Sequence, residues 1–173
     1  MQIAYKLFEV DPKGRLFPLF IGKTKETKMG EWLPAENLPT KGFSHRSGWH
    51  IGKIPSAPWL MNAEGKYVSQ RNKKWSRKWF IVAFNDKHDY TEKALKQPGK
   101  CFKEPPVDGY YRFFEKGRCL WYICSEILVI RELSNEERQQ ILKDMNFDEK
   151  AEFEPYKTAF EKRKETLKRK EGV

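Results

Sequence analysis

The chain has 173 residues, which suits one domain with a sizeable core, and no apolar run approaches the roughly 20 residues that a membrane-spanning helix needs. Thirty-four lysines and arginines stand against 24 aspartates and glutamates, a net charge of +10 that points to an anionic partner such as nucleic acid, a nucleotide or an acidic protein. Hydrophobic residues make up 39% and aromatics 14%, so the core is expected to be built from Phe, Trp and Tyr more than from Leu and Val.

Residues 3–10 read as a first strand, without the layout of a secretion signal, and the expected location is the cytoplasm. Asp11-Pro12-Lys13-Gly14 is a turn, since proline presets one dihedral and glycine accepts another. Residues 15–21 return as the second strand of a hairpin, and Pro18 confines it to an edge or a bulge. A lysine-rich loop over 22–29 leads to a short extended piece at 30–35. Residues 36–47 form a long surface loop, a feature that is often functional in a compact domain. Residues 56–61 make a short helical turn or another strand. Residues 78–85 are the clearest buried strand, with Trp79, Ile81 and Ala83 on one face and Phe80, Val82 and Phe84 on the other.

Residues 89–95 fit a short helix capped at Asp89 or Thr91, broken by Gln97-Pro98-Gly99-Lys100 and again at 105–109. Residues 110–115 and 119–133 give two strands about a hairpin turn at Lys116-Gly117. Ser134 and Glu137 make a capping box, followed by an apolar stripe of Ile141, Leu142 and Met145. A last helix is expected over 155–170, with Pro155 in its first turn and a thin apolar face of Tyr156, Ala159, Phe160 and Leu167. Apolar content falls after Met145, which divides the chain into a compact domain over 1–145 and a charged helical tail over 146–173. The fold class is α+β, a mostly antiparallel sheet with C-terminal helices.

Two stretches are candidate sites. Gly48-Trp49-His50-Ile51-Gly52 frames a histidine between glycines that let the backbone turn sharply or approach a ligand. Trp49, His50 and Gly52 are the candidate ligand pocket, with His50 as a base, a ligand contact or a hydrogen-bonded core residue. Arg71, Lys73, Lys74, Arg77 and Lys78 place five cations within nine residues, interleaved with Trp75 and Trp79. Cations on phosphates and an indole stacked on a base make a nucleic-acid contact, so Arg71, Lys73, Lys74, Trp75, Arg77 and Lys78 are its candidate residues. A strand through this region would instead take Trp79 into the core. In the second basic run, 161–170, glutamates can pair with lysines one turn on, as on a solvated helix face. Cys101, Cys119 and Cys124 lack metal-ligand spacing, the three histidines form no metal triad, and no Walker loop, nucleophile elbow or dinucleotide fingerprint is present. The residues by themselves imply neither metal nor cofactor.

The succession of Tyr5-Lys6-Leu7-Phe8, Arg15-Leu16-Phe17-Pro18-Leu19-Phe20, Gly30-Glu31-Trp32-Leu33, Gly48-Trp49-His50 and Gly109-Tyr110-Tyr111-Arg112-Phe113 resembles a group of hypothetical proteins of bacteriophages and other mobile elements, over about residues 3–142. The resemblance implies an accessory protein in the cytoplasm of a bacterial host and carries no settled activity. Gly48-Trp49-His50-Ile51-Gly52 followed by Ser56-Ala57 is also similar in outline to ADP-ribosyltransferase-like folds, which would make NAD the cofactor. Where those enzymes carry a glutamate before a late hydrophobic run, this chain has Cys119-Leu120-Trp121-Tyr122-Ile123, and Tyr5-Lys6 replaces their first-strand His or Arg. The leading expectation is a protein that binds an anionic partner, foremost nucleic acid. The alternatives are an ADP-ribosyltransferase-like enzyme or its ligand-binding relative, and a module directed at a host protein.

Overall fold

The computed structural model describes residues 2–40, 42 and 44–172. Among them, nine strands form one sheet: β1 (Gln2–Val10), β2 (Leu16–Phe17), β3 (Trp32–Pro34), β4 (Trp49–Gly52), β5 (Ser76–Phe84), β6 (His88–Asp89), β7 (Gly109–Glu115), β8 (Arg118–Cys124) and β9 (Glu126–Glu132). Three α-helices accompany it: α1 (Thr91–Leu95), α2 (Asn135–Asp144) and α3 (Glu149–Lys170). Every strand pairing is antiparallel except that of β6 with β7, and two of the helices follow the last strand, so the protein is α+β as the sequence implies.

The strand order is β3-β9-β5-β1-β4-β8-β7-β6, with β2 beside the end of β1. In that order β8 and β9 stand four places apart, yet Ser125 alone separates them along the chain. Two Cα steps reach at most about 7.6 Å, whereas four strand spacings approach about 19 Å. The sheet must therefore curl until the end of β8 meets the start of β9. The result is a roll closed by a bent strand. Contacts across its interior agree: Phe84 on β5 meets the rings of Tyr110 and Tyr122, each at 5.3 Å, although β5 and β8 are not ladder neighbours.

Strand alternation divides the apolar residues between the two faces. Ala4, Phe8, Ile51, Val82, Phe84, Cys124, Ile127 and Val129 fill the roll. Outside it, Leu7, Trp79 and Leu133 pack with Ala57, Leu60 and Ile141 beneath α2 and a turn over Pro58–Leu60. A second outer cluster, of Tyr111, Phe113 and Ile123, lies under Ala94 of α1 and Cys101.

Three elements differ from the sequence reading. The second strand is only two residues long; Pro18, which follows it at once, cannot donate to a ladder. The run 119–133 is two strands, because Ser125 turns the chain from one side of the roll to the other. The last helix starts at Glu149, where Asp148 accepts from Ala151 N at 3.1 Å, and this leaves Pro155 in the helix interior instead of its first turn. Phe153 on that helix is buried, so the packed part of the protein continues past residue 145.

Candidate functional site

β4 sends Trp49 and His50 to opposite faces. Trp49 turns to the interior, its Nε1 donating to the carbonyl of Leu33 at 3.0 Å. His50 turns outward, its ring centroid 5.0 Å from that of Trp121 and its Nε2 donating to the Arg46 carbonyl at 2.7 Å. Burial, which that hydrogen bond opposes and the charges of Lys6 and Arg46 reinforce, lowers its pKa to about 4, so the ring is neutral near pH 7. The flanking glycines answer to packing. A Cβ at Gly48, whose φ is +132°, would lie 2.6 Å from Ile123 Cγ2, and one at Gly52 would lie 2.7 Å from the Ile54 carbonyl oxygen. Trp49, His50 and Gly52 therefore do not line a common cavity.

Lys6 enters the roll beside Trp49. Its Nζ donates to the His50 carbonyl at 2.7 Å and lies 5.6 and 5.5 Å from the ring centroids of Phe8 and Trp49. Burial lowers its pKa to about 8. Among the described residues neither Lys6 nor His50 has a carboxylate partner, and the two side chains occupy different faces.

The basic run at 71–78 is largely tied into the fold. Arg77 faces Glu9 across the β1–β5 ladder, Nε to Oε1 at 2.8 Å, with side chains 4% and 0% exposed. The Arg71 guanidinium donates to the carbonyls of Pro18 and Lys23 and lies over the rings of Trp75 and Phe17, at 5.7 and 6.0 Å. Trp75 is itself stacked on Phe17, at 5.2 Å. Lys78 pairs with Glu132 at 3.1 Å. Of the six candidates, Lys73 and Lys74 have exposed side chains with no partner among the described residues.

The densest cluster of available cations is on α3. Between 157 and 170 it carries seven lysines and arginines against two glutamates, and every residue there is exposed except the half-buried Phe160. The root of the helix is held firmly. Arg138 on α2 donates to Glu149 from Nη1 at 2.6 Å and Nη2 at 3.0 Å, and Nη1 also reaches the Pro55 carbonyl at 3.1 Å. The Ser56 hydroxyl and the Tyr67 phenol donate to the same carboxylate, and Ala57 N donates to the phenol at 2.8 Å. Burial and the Glu149 charge push the Tyr67 pKa strongly up, which keeps it a donor. Arg118 pairs with Glu152 at 2.9 Å. Beyond Phe153 the hydrogen bonds among described residues stay within the helix, so α3 projects from the body. Arg138 escaped sequence reasoning because it is one more charge in a capped helix; only its partner 11 residues later reveals its role.

A cleft of about 550 Å³ opens between α1 and residues 101–107. Tyr90, Pro98, Phe102 and Pro106 give it apolar walls, and Lys93 and Lys103 stand at its rim. In the sequence these prolines read only as breakers. Among the described residues, no three His, Cys, Asp or Glu side chains are placed to hold a metal ion, and no helix is long and apolar enough to cross a membrane. No protein-family model, curated protein or solved structure matches the chain.

Proposed function

We propose that the protein binds nucleic acid and that α3 is the element that engages it. The observation carrying this reading is the exposed, largely unpaired charge of residues 157–170 on a helix anchored at its root by Arg138 and Glu149. Lysines and arginines on such an arm can displace condensed counterions from a phosphate backbone, which makes binding strong at low salt and weak at high salt. Lys73 and Lys74 add a smaller contribution, while Arg77 serves the sheet. The setting we infer from the sequence resemblance is the cytoplasm of a bacterial host carrying a phage or mobile element. An ADP-ribosyltransferase-like reaction gains no support from a neutral His50 that lacks a carboxylate partner.

The test is fluorescence anisotropy with a labelled oligonucleotide across a salt series. Lys162→Gln, Arg163→Gln, Lys164→Gln and Lys168→Gln together should weaken binding and lower the slope of log K against log salt by roughly 0.7–0.9 for each phosphate no longer neutralised. Absence of binding at low salt, or an unchanged slope in the variant, overturns the proposal.

A further inference from the structure

The cleft beside α1 is shallow and open, but its walls are held in place. Its two walls are tied together, because the Tyr90 hydroxyl donates to the Val107 carbonyl at 2.7 Å. The loop side is irregular but pinned. Phe102 N donates to the Tyr111 hydroxyl at 3.2 Å, Ser47 N to the Phe102 carbonyl at 3.4 Å, and His45 Nε2 lies 2.7 Å from the Lys103 carbonyl. Lys100 and Asp108, with φ of 57° and 52°, bracket it in a left-handed conformation that non-glycine residues adopt only when their surroundings hold them there. A ligand entering this cleft does not have to order the loop.

The lining narrows the chemistry. Tyr90 and Phe102, with ring centroids 6.3 Å apart in an edge arrangement, and the flat rings of Pro98 and Pro106 suit a planar apolar group. Lys93, its Nζ 5.9 Å from the Tyr90 ring centroid, and Lys103 have no carboxylate partner among the described residues; Glu104 also lines the cleft, so two cations against one carboxylate leave a modest positive balance that favours an anion next to that planar group. A nucleotide combines the two.

We propose that this cleft takes the base and phosphate of an unpaired nucleotide, which makes single-stranded nucleic acid the partner. The inference rests on the reading of the protein as a nucleic-acid binder and adds a second point of attachment, separate from α3. Bases within a duplex are stacked and paired, and cannot enter; a single strand offers its bases to aromatic walls while cations track its backbone.

Photocrosslinking of the full chain to an oligothymidylate carrying one thiothymidine tests this. Crosslinks should map to the segment containing Tyr90 and Phe102, thymidine monophosphate should suppress them, and inorganic phosphate should not. Lys93→Glu with Lys103→Glu, both exposed and outside the core, should cut the yield there by about tenfold, because the rim would then repel the phosphate it now attracts. Neutralising the α3 cations should lower oligonucleotide affinity but leave crosslinks that do form in the cleft sensitive to the monophosphate. If the strand binds and crosslinks fall only on α3, or duplex binds as tightly as single strand, the cleft inference is wrong and the α3 reading stands. If no oligonucleotide binds at low salt, both are wrong.

Discussion

Arg77→Ala separates the two roles open to the basic run. In the structure the guanidinium is 4% exposed and pairs with a carboxylate, Glu9, that is fully buried. Removing the arginine leaves that carboxylate without its partner inside the protein, a loss that costs roughly 3–5 kcal/mol. Arg71, whose charge also acts on Glu9, offsets part of it and places the expectation near the lower end. For a chain of this size each kcal/mol moves the midpoint by about 2–4 °C, so Tm should fall by about 6–12 °C. Thermal and urea unfolding followed by circular dichroism measure it. Glu9→Gln combined with Arg77→Met should recover most of the loss, since it removes both buried charges and keeps the volume. Lys73→Ala with Lys74→Ala should leave stability within about 0.5 kcal/mol, as surface substitutions do. A Tm for Arg77→Ala within about 2 °C of wild type would refute the reasoning: Glu9 would then be hydrated and Arg77 free to bind.

His50 should make stability depend on pH. Its folded pKa of about 4 lies below the value near 6.5 of an unfolded chain, so the unfolded state takes up the proton first; stability is full above about pH 6.5, declines toward pH 4 by up to about 3 kcal/mol, then levels. His50→Gln should flatten that part of a urea-midpoint profile, and His50→Ala should cost roughly 1–3 kcal/mol by stranding the Arg46 carbonyl; a fully stable alanine variant would make His50 a candidate binding residue again. Gly48→Ala should destabilise by roughly 1–3 kcal/mol in the same melts, because its Cβ meets Ile123 and its φ is unsuited to alanine. Trypsin should cut first beyond Lys157 and leave a body that melts like the intact protein, whereas early cleavage at Lys143 or Lys150 would show that α3 is not docked.

Local chemistry was legible in the sequence wherever it stayed local. The two faces of β5 follow from the alternation of Trp79 to Phe84, and Ser134 with Glu137 forms both halves of its capping box. The bend at Ser125 was hard to read: Ser125 and Glu126 interrupt the apolar run there, but two polar residues inside a strand-like stretch do not announce a turn, and this one is imposed by partners far away in sequence. Arg77 looked like a surface cation because nothing near it announces Glu9, 68 residues earlier, as its ladder partner. The glycines around His50 suggested room for a ligand; they provide room for Ile123 and the Ile54 carbonyl instead. The cleft depends on α1, on the prolines after 97 and on His45 and Ser47, which hold the backbone of residues 102 and 103, and no one segment of the chain carries its signature.

The bent strand that closes the roll also determines when the protein can fold. Of the nine strands in this sheet β1 is synthesised first, but its long ladder waits for β5, where Gln2 pairs with Phe84, and closure waits for β9 at residues 126–132. Contacts so distant in sequence make for slow folding, in the millisecond-to-second range typical of β-rich topologies. Until β9 arrives, β5 has an open edge and Phe8, Val82 and Phe84 face water, a combination that invites pairing with another chain. A chain stopped before Glu126 is therefore an opened roll, not a smaller domain, and its hazard is aggregation before any loss of binding is felt.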